Sequence, residues 1–423
     1  MTFYAKKITE KRLQGGGRIL VTRFPAHGHV SIAGSVLGGT RLAGSAERAK
    51  VHAGMLLEGT DRRSKKELQI ALDRLGASLS FLAGQSRLIF SGHVRAAHLP
   101  ELLVILAEML VLPSFPAREL EILKRRERAS LALAAQDTNV QAEVALTGLL
   151  FDRKHPNFME QTAVSRDILE GIQVKDLYTF HQKTLDGSSL ILSIAGDIAP
   201  GKAFSAAETA FHSLSKRRVS LPPFAKAKPL KARYAATPIK DKAGIDFELG
   251  VATGITNEHP DYAPLLLGMQ ILGVPGFSGR LMSTVREAEG LTYGAYTYLS
   301  GFYHDTDGYL NIWSNFAPEL FEKGRVALIR EVKRIVEEGV GEEETRKHRE
   351  RFDAAFRVRL SNSAALASAA HNALADHKPL SHLDTFPARI RKLTASDVNR
   401  VLRKYLIPAK LSESTAGPVE KSS

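Results

Sequence analysis

Arg286 and Tyr293 stand seven positions apart in Val285-Arg286-Glu287-Ala288-Glu289-Gly290-Leu291-Thr292-Tyr293-Gly294. A guanidinium and a phenol O–H are both hydrogen-bond donors. Held in place, they could grip a carbonyl oxygen and offset the negative charge that grows on it under attack. The plainer reading of such a pair is an exposed helix charge and a packed strand aromatic. Metal chemistry has another signature: two His at i and i+4 share a helix face and can bite one zinc ion, with a Glu between them to polarise bound water. The helical stretch Lys50-Val51-His52-Ala53-Gly54-Met55-Leu56-Leu57-Glu58-Gly59-Thr60 holds only one His. A lone helical His such as His52 reads as structural or solvent-facing. His27 and His29 could share a strand face, but they sit in the turn Pro25-Ala26-His27-Gly28-His29 with no carboxylate nearby. That pattern reads as a surface hairpin.

Followed by Asp61-Arg62-Arg63-Ser64, the 50–60 stretch resembles the active-site helix of the insulinase/pitrilysin family of inverted zinc peptidases. That helix carries His-x-x-Glu-His, then Met-Leu, a short loop ending Gly-Thr, and an Arg-Ser pair. In this frame Lys50 stands where the first His would be, Ala53 where the catalytic Glu would be, and Gly54 where the second His would be. The family's third ligand, a Glu on a later helix, falls on Ser130-Leu131-Ala132-Leu133-Ala134-Ala135, which has no carboxylate. A catalytic zinc needs about three protein ligands and an open position, so the resemblance implies neither metal nor cofactor in this chain. The second half runs Leu272-Gly273-Val274-Pro275-Gly276-Phe277-Ser278-Gly279-Arg280-Leu281-Met282 and then through Arg286 to Gly294. It resembles the family's C-terminal signature: a glycine-containing turn, Ser-x-Arg-Leu, and Arg-Glu-x-x-Gly-Leu-x-Tyr. By carry-over, Arg286 and Tyr293 are the catalytic and substrate-binding donors. The resemblance thus implies a zinc-less subunit that supplies them to a zinc-bearing paralogous partner acting on an unfolded peptide. The alternative is a peptide-binding or scaffold subunit of the same fold with no catalytic share.

Positioning these residues takes a repeated unit. Pro100-Glu101-Leu102 and Pro318-Glu319-Leu320 each open a long helical pattern, Lys175-Asp176-Leu177 and Ser396-Asp397-Val398 each open a late one, and Leu75-Gly76-Ala77 and Glu289-Gly290-Leu291 each end a helix before a β run. The near-constant offset of about 220 residues marks a tandem duplication rather than a solenoid. In each half strands come first and long helices afterwards. The expectation is an α+β fold of two tandem homologous domains, each an antiparallel-rich sheet packed by helices on one face, together the half-clamshell that the resemblance implies. The expected divisions are an N-terminal domain over 1–215, a linker over 216–243, a C-terminal domain over 244–411 and a disordered tail over 412–423.

Composition narrows the function classes. The net charge of +13 is concentrated: between Lys216 and Lys242 lie nine basic residues and one acid, with Pro222, Pro223, Pro229 and Pro238 among them. A basic, Pro-rich stretch with only two aromatics, Phe224 and Tyr234, among nine cations is a solvated connector or a clamp on an acidic partner rather than a nucleic-acid site. The apolar stretch Leu102 to Leu112 is bounded by Pro100 and Pro113, too short to cross a bilayer. Cysteine is absent, which excludes disulfides and thiolate metal sites. The N-terminal residues contain no signal-like apolar segment, so the expected compartment is the cytoplasm, or the periplasm if a leader precedes the sequence.

Overall fold

Alternating apolar runs of the first half become β1 (Ile8–Arg12), β2 (Arg18–Arg23), β3 (His29–Leu37), β4 (Ser78–Ala83), β5 (Arg87–Arg95) and β6 (Ile191–Gly196), in a sheet of order β1-β2-β6-β3-β5-β4. The second half forms β7 (Tyr234–Pro238), β8 (Ile245–Ala252), β9 (Ala295–Ser300), β10 (Tyr309–Phe316) and β11 (Ser412–Gly417), in the order β7-β11-β8-β10-β9. Each sheet has one parallel pair among its named strands, β2 with β6 and β7 with β11, at equivalent places; all other neighbours are antiparallel. Matching order and matching orientation are what a duplicated unit produces. The structure is a computed structural model, and it describes residues 3–214, 216–224, 226–227, 231–274 and 279–420.

The chain divides into two compact units, and each draws on both halves of the sequence. One comprises Met1–Ala129, Ser165–Pro223 and Ala355–Phe386; the other comprises Ser130–Val164, Phe224–Ala354 and Pro387–Ser423. The reason lies in two covering helices. Ser363–Ala375, from the second half, packs on β3 and β6, while Thr138–Leu150, from the first half, packs on β8 and β11. The first helix is rich in alanine, so its backbone can approach the sheet closely: Ala33 and Ala195 meet Leu366 and Ala367 in one buried cluster. Since alternate strand residues face opposite ways, Ser31, Ala33 and Ser35 lie on the side of this helix, with Ser31 bonded to Ser363 and Ser35 to His371. Val30, Ile32 and Val36 point the other way and are buried as well. β3 is therefore covered on both faces.

The segment from Ser412, expected to be disordered, is ordered through Gly417 as β11, hydrogen-bonded between β7 and β8. Its small polar side chains mimic a disordered composition, yet Ser414 and Thr415 are buried, and Ser414 Oγ donates to the Ala142 carbonyl of the covering helix at 2.8 Å. Within the basic linker, Tyr234–Pro238 is likewise a strand, β7. The repeated late helices share a start: Asp176 accepts from the Gln173 amide and Asp397 from the Thr394 amide, both at 2.9 Å. Such a reach-back satisfies amides that the first helical turn leaves without partners.

Candidate functional site

Helix Ala46–Met55 starts at Ser45, whose hydroxyl accepts from the Arg48 amide at 3.2 Å. Positions 50 and 54 share the face turned to helix Ala117–Ala134. There Lys50 Nζ lies 2.5 Å from Glu127 Oε2. One turn on, a Cβ at Gly54 would stand 3.0 Å from Leu123 Cδ2. Ala53 is buried. An ion pair and a van der Waals contact therefore occupy the two rungs where His ligands would stand. The residues do not fit a zinc ion: an ammonium repels a cation, Gly54 and Ala53 offer no donor, and Glu127 is engaged by Lys50. Lys50 is largely exposed, so the ion pair contributes at most about 1 kcal/mol. Among the described residues, no group of three or more His, Asp or Glu is placed to hold a metal ion.

Glu127 lies just before residues 130–135, where the peptidase frame puts the third ligand, and nothing in the frame singles it out. The available signal was spacing, since Leu123 and Glu127 are four apart as Gly54 and Lys50 are. His52 lies inside the helix bundle rather than at a ligand position. Its Nε2 is 3.0 Å from His181 Nδ1, and His181 Nε2 is 3.0 Å from the Leu110 carbonyl. A carbonyl only accepts, so His181 carries its proton on Nε2 and His52 donates to the free Nδ1. Phe180 meets the His52 ring edge-on at 4.8 Å. Burial holds both rings below the usual histidine range, His181 at about 4, and His181 also depresses His52. Both are neutral at pH 7. At the other histidine pair, the turn does have a carboxylate: Asp197 accepts from the Gly28 amide at 2.6 Å and the Ala26 amide at 3.1 Å. These backbone bonds hold the Asp197 carboxyl below its ordinary value, so it anchors the turn.

What survives of the peptidase frame performs structural work. Met55 and Leu56 are fully buried. Gly59 has φ 144°, a conformation costly for any side chain. Thr60 Oγ1 donates to Glu108 at 2.5 Å and accepts from the amides of Arg62 and Arg63 at 3.2 and 3.0 Å. Arg63 pairs with the same Glu108, a carboxylate buried in the apolar helix Leu99–Val111. Ser64 and Glu67 form a reciprocal cap on helix Lys65–Leu75. The residues of this loop satisfy a buried charge and a helix start, which requires no metal.

Arg286 lies in the π-helical turn Met282–Ala288, held to the core by buried Met282 and Val285. Such turns often mark functional positions. The Gly290 amide returns to the Arg286 carbonyl at 3.0 Å, and Thr292 Oγ1 donates to the Asn315 carbonyl at 2.5 Å, pinning the following loop to β10. Tyr293 projects from that loop and is 87% exposed, between the buried Leu291 and Ala295. The Arg286 guanidinium carbon lies 5.4 Å from the Tyr293 ring centre, a cation–π distance. The fold therefore brings these two residues together and presents the phenol to solvent. Arg280 of the same signature grips Glu344 at 3.0 and 2.7 Å and the Gly339 carbonyl at 2.8 Å, which is a structural clasp. Residues 275–278 of the glycine turn lie outside the described residues.

Fold and site together define a duplicated α/β chain built on a peptidase frame from which the metal ligands are missing. Residues 171–352 match the family model described as the peptidase M16 inactive domain, which bears out the resemblance to the insulinase/pitrilysin type. The chain is 22% identical over 360 residues to the non-peptidase homolog YmxG of Helicobacter pylori, covering 84% of this chain and 81% of the relative. It is 24% identical over 278 residues to a probable mitochondrial-processing peptidase subunit beta of Schizosaccharomyces pombe, covering 60% of this chain and 58% of the relative. A peptidase M16 inactive domain from Pseudomonas fluorescens superposes with a TM-score of 0.87 at 22% identity, covering 98% of this chain and 99% of that one. No helix among the described residues is long and apolar enough to cross a membrane.

Proposed function

We propose that this chain is the zinc-less subunit of a two-subunit metallopeptidase. A paralogous partner carries the zinc, and this chain contributes Arg286 and Tyr293 to the binding of an unfolded peptide. The observation that carries the reading is the contrast between the two remnants. At Lys50, Ala53 and Gly54 the ligand positions are filled by an ion pair, a buried methyl and a close helix contact. At Arg286 and Tyr293 the donors are adjacent, anchored from behind, and the phenol is left in solvent without a packing role. A purely structural tyrosine gains nothing from such exposure. In this role the guanidinium and phenol O–H donate to substrate carbonyl oxygens and favour the charge that develops there.

The test is to mix the purified chain with a zinc-bearing paralogue and zinc, and to follow cleavage of a quenched peptide. Arg286→Ala and Tyr293→Phe should each lower turnover by about 10²-fold or more while leaving association intact. Cleavage indifferent to both substitutions sinks the proposal. The scaffold reading is favoured by the inactive type of the matched domain, and it predicts association or peptide binding with no gain in turnover.

A further inference from the structure

Arg87 opens β5 within the first compact unit, opposite Leu37 of β3. Its Nε donates to Ser35 Oγ at 2.5 Å, and its Nη2 donates to the carbonyls of Ser35 and Ser189. All three acceptors are neutral. The network continues from Ser35 Oγ to His371 Nε2 at 2.7 Å and from His371 Nδ1 to Asn372 Oδ1 at 2.9 Å. Burial holds His371 at about 4, so it too is neutral at pH 7. Burial alone pushes the Arg87 guanidinium down to about 10. Among the described residues no carboxylate pairs with it, and its Nη1 donates to none of them. A partly buried cation surrounded only by neutral acceptors is unfavourable, and an anion would relieve it.

Arg87 lines an open cleft of about 630 Å³, within the size range of small-molecule sites. The other cations on the cleft are already matched. Arg18 grips Glu10 at 2.7 and 3.1 Å, and Lys378 Nζ lies 2.5 Å from Asp376. One uncompensated positive charge remains. Part of the lining is apolar: Ile191 and Leu374 belong to one hydrophobic cluster, and Leu380 packs against it. His377, at φ 57°, takes a turn conformation that glycine usually fills, and it is among the lining residues. Strain of this kind at a cleft is a common mark of a binding site.

We propose that this cleft binds a monocarboxylate, its carboxylate paired with Arg87 Nη1 and its apolar side chain lying on Ile191, Leu374 and Leu380. One residual charge suits a carboxylate better than a phosphate dianion, which would leave a negative charge unmatched. The apolar part of the lining selects an acid with a hydrocarbon side chain, either free or as the C-terminal residue of a peptide. The site is separate in sequence and chemistry from Arg286 and Tyr293, so it does not rest on the peptidase reading.

Titration of the full chain with N-acetyl-leucine, N-acetyl-leucinamide and inorganic phosphate, read by calorimetry or amide NMR shifts, tests it. N-acetyl-leucine should bind at least tenfold more tightly than the amide or phosphate. Arg87→Met should abolish the preference for acid over amide. Pro379→Glu, an exposed rim change that puts a negative charge beside the cleft, should weaken the acid by about tenfold with the fold intact. A tetrapeptide ending in leucine that binds tighter than N-acetyl-leucine identifies a peptide terminus as the ligand; equal affinity identifies a free acid. No binding of N-acetyl-leucine, equal binding of acid and amide, tighter binding of phosphate, or indifference to Pro379→Glu would overturn the proposal.

Discussion

Acidification from pH 7 to pH 5 should selectively destabilise the unit that holds the His52–His181 pair. His181 has an ordinary value of 6.5 and a folded value of about 4, because burial disfavours its charged form. A group depressed on folding stabilises fully above its unfolded value, and that stability is lost as pH falls toward the folded one. The window therefore runs from about pH 6.5 down to about pH 4. At about 1.36 kcal/mol per unit the whole window is worth about 3 kcal/mol. The part lost between pH 7 and pH 5 is about 2 kcal/mol. His52, lowered by burial and by its neighbour, acts in the same direction. Urea denaturation at both pH values, for the natural chain and for His181→Phe, isolates the term, because Glu248 and His371 titrate in both proteins and cancel in the comparison. The natural chain should lose about 2 kcal/mol more than the variant. Equal pH slopes in the two proteins, or an NMR titration of the His181 ring with a midpoint near 6.5, would refute the reasoning.

Other substitutions probe the neighbouring contacts. Gly54→His introduces a Cβ that would stand only 3.0 Å from Leu123 Cδ2; it should cost about 1–3 kcal/mol, and Leu123→Ala should recover part of that loss in thermal denaturation. Thr60→Val removes one of the two donors to Glu108 and the acceptor of two amides and should cost about 1–3 kcal/mol in chemical denaturation. Glu248 is raised by burial from 4.5 to about 8, so the stability it contributes is full below pH 4.5 and is lost as pH rises through 8. Glu248→Gln should remove that slope, which a pH series of melting temperatures reads directly.

Much of the fold was legible because the signals behind it are local. Helix Lys65–Leu75 and the β4–β5 hairpin follow from side-chain periodicity, which is set by the geometry of a single turn or pleat. The duplication was visible for the same reason, since repeated helix starts carry repeated capping residues. β11 was not legible because Ser412–Gly417 has no apolar alternation; its burial comes from strands and a helix distant in sequence. Arg286 and Tyr293 stand out in the sequence, but nothing in their spacing indicates that a π-helical turn and a pinned loop bring guanidinium and ring together.

The loss of the metal ligands follows from the sequence alone. Positions 50, 53 and 54 of one helix must share a neighbourhood whatever the rest of the chain does, and Lys, Ala and Gly cannot ligate zinc. What occupies those positions instead is a tertiary matter. Lys50 with Glu127, Gly54 with Leu123, and His52 with His181 are pairs between elements far apart in the chain, and only helix packing selects which side chains meet. Local periodicity determines which residues share a face, and long-range packing determines what that face touches.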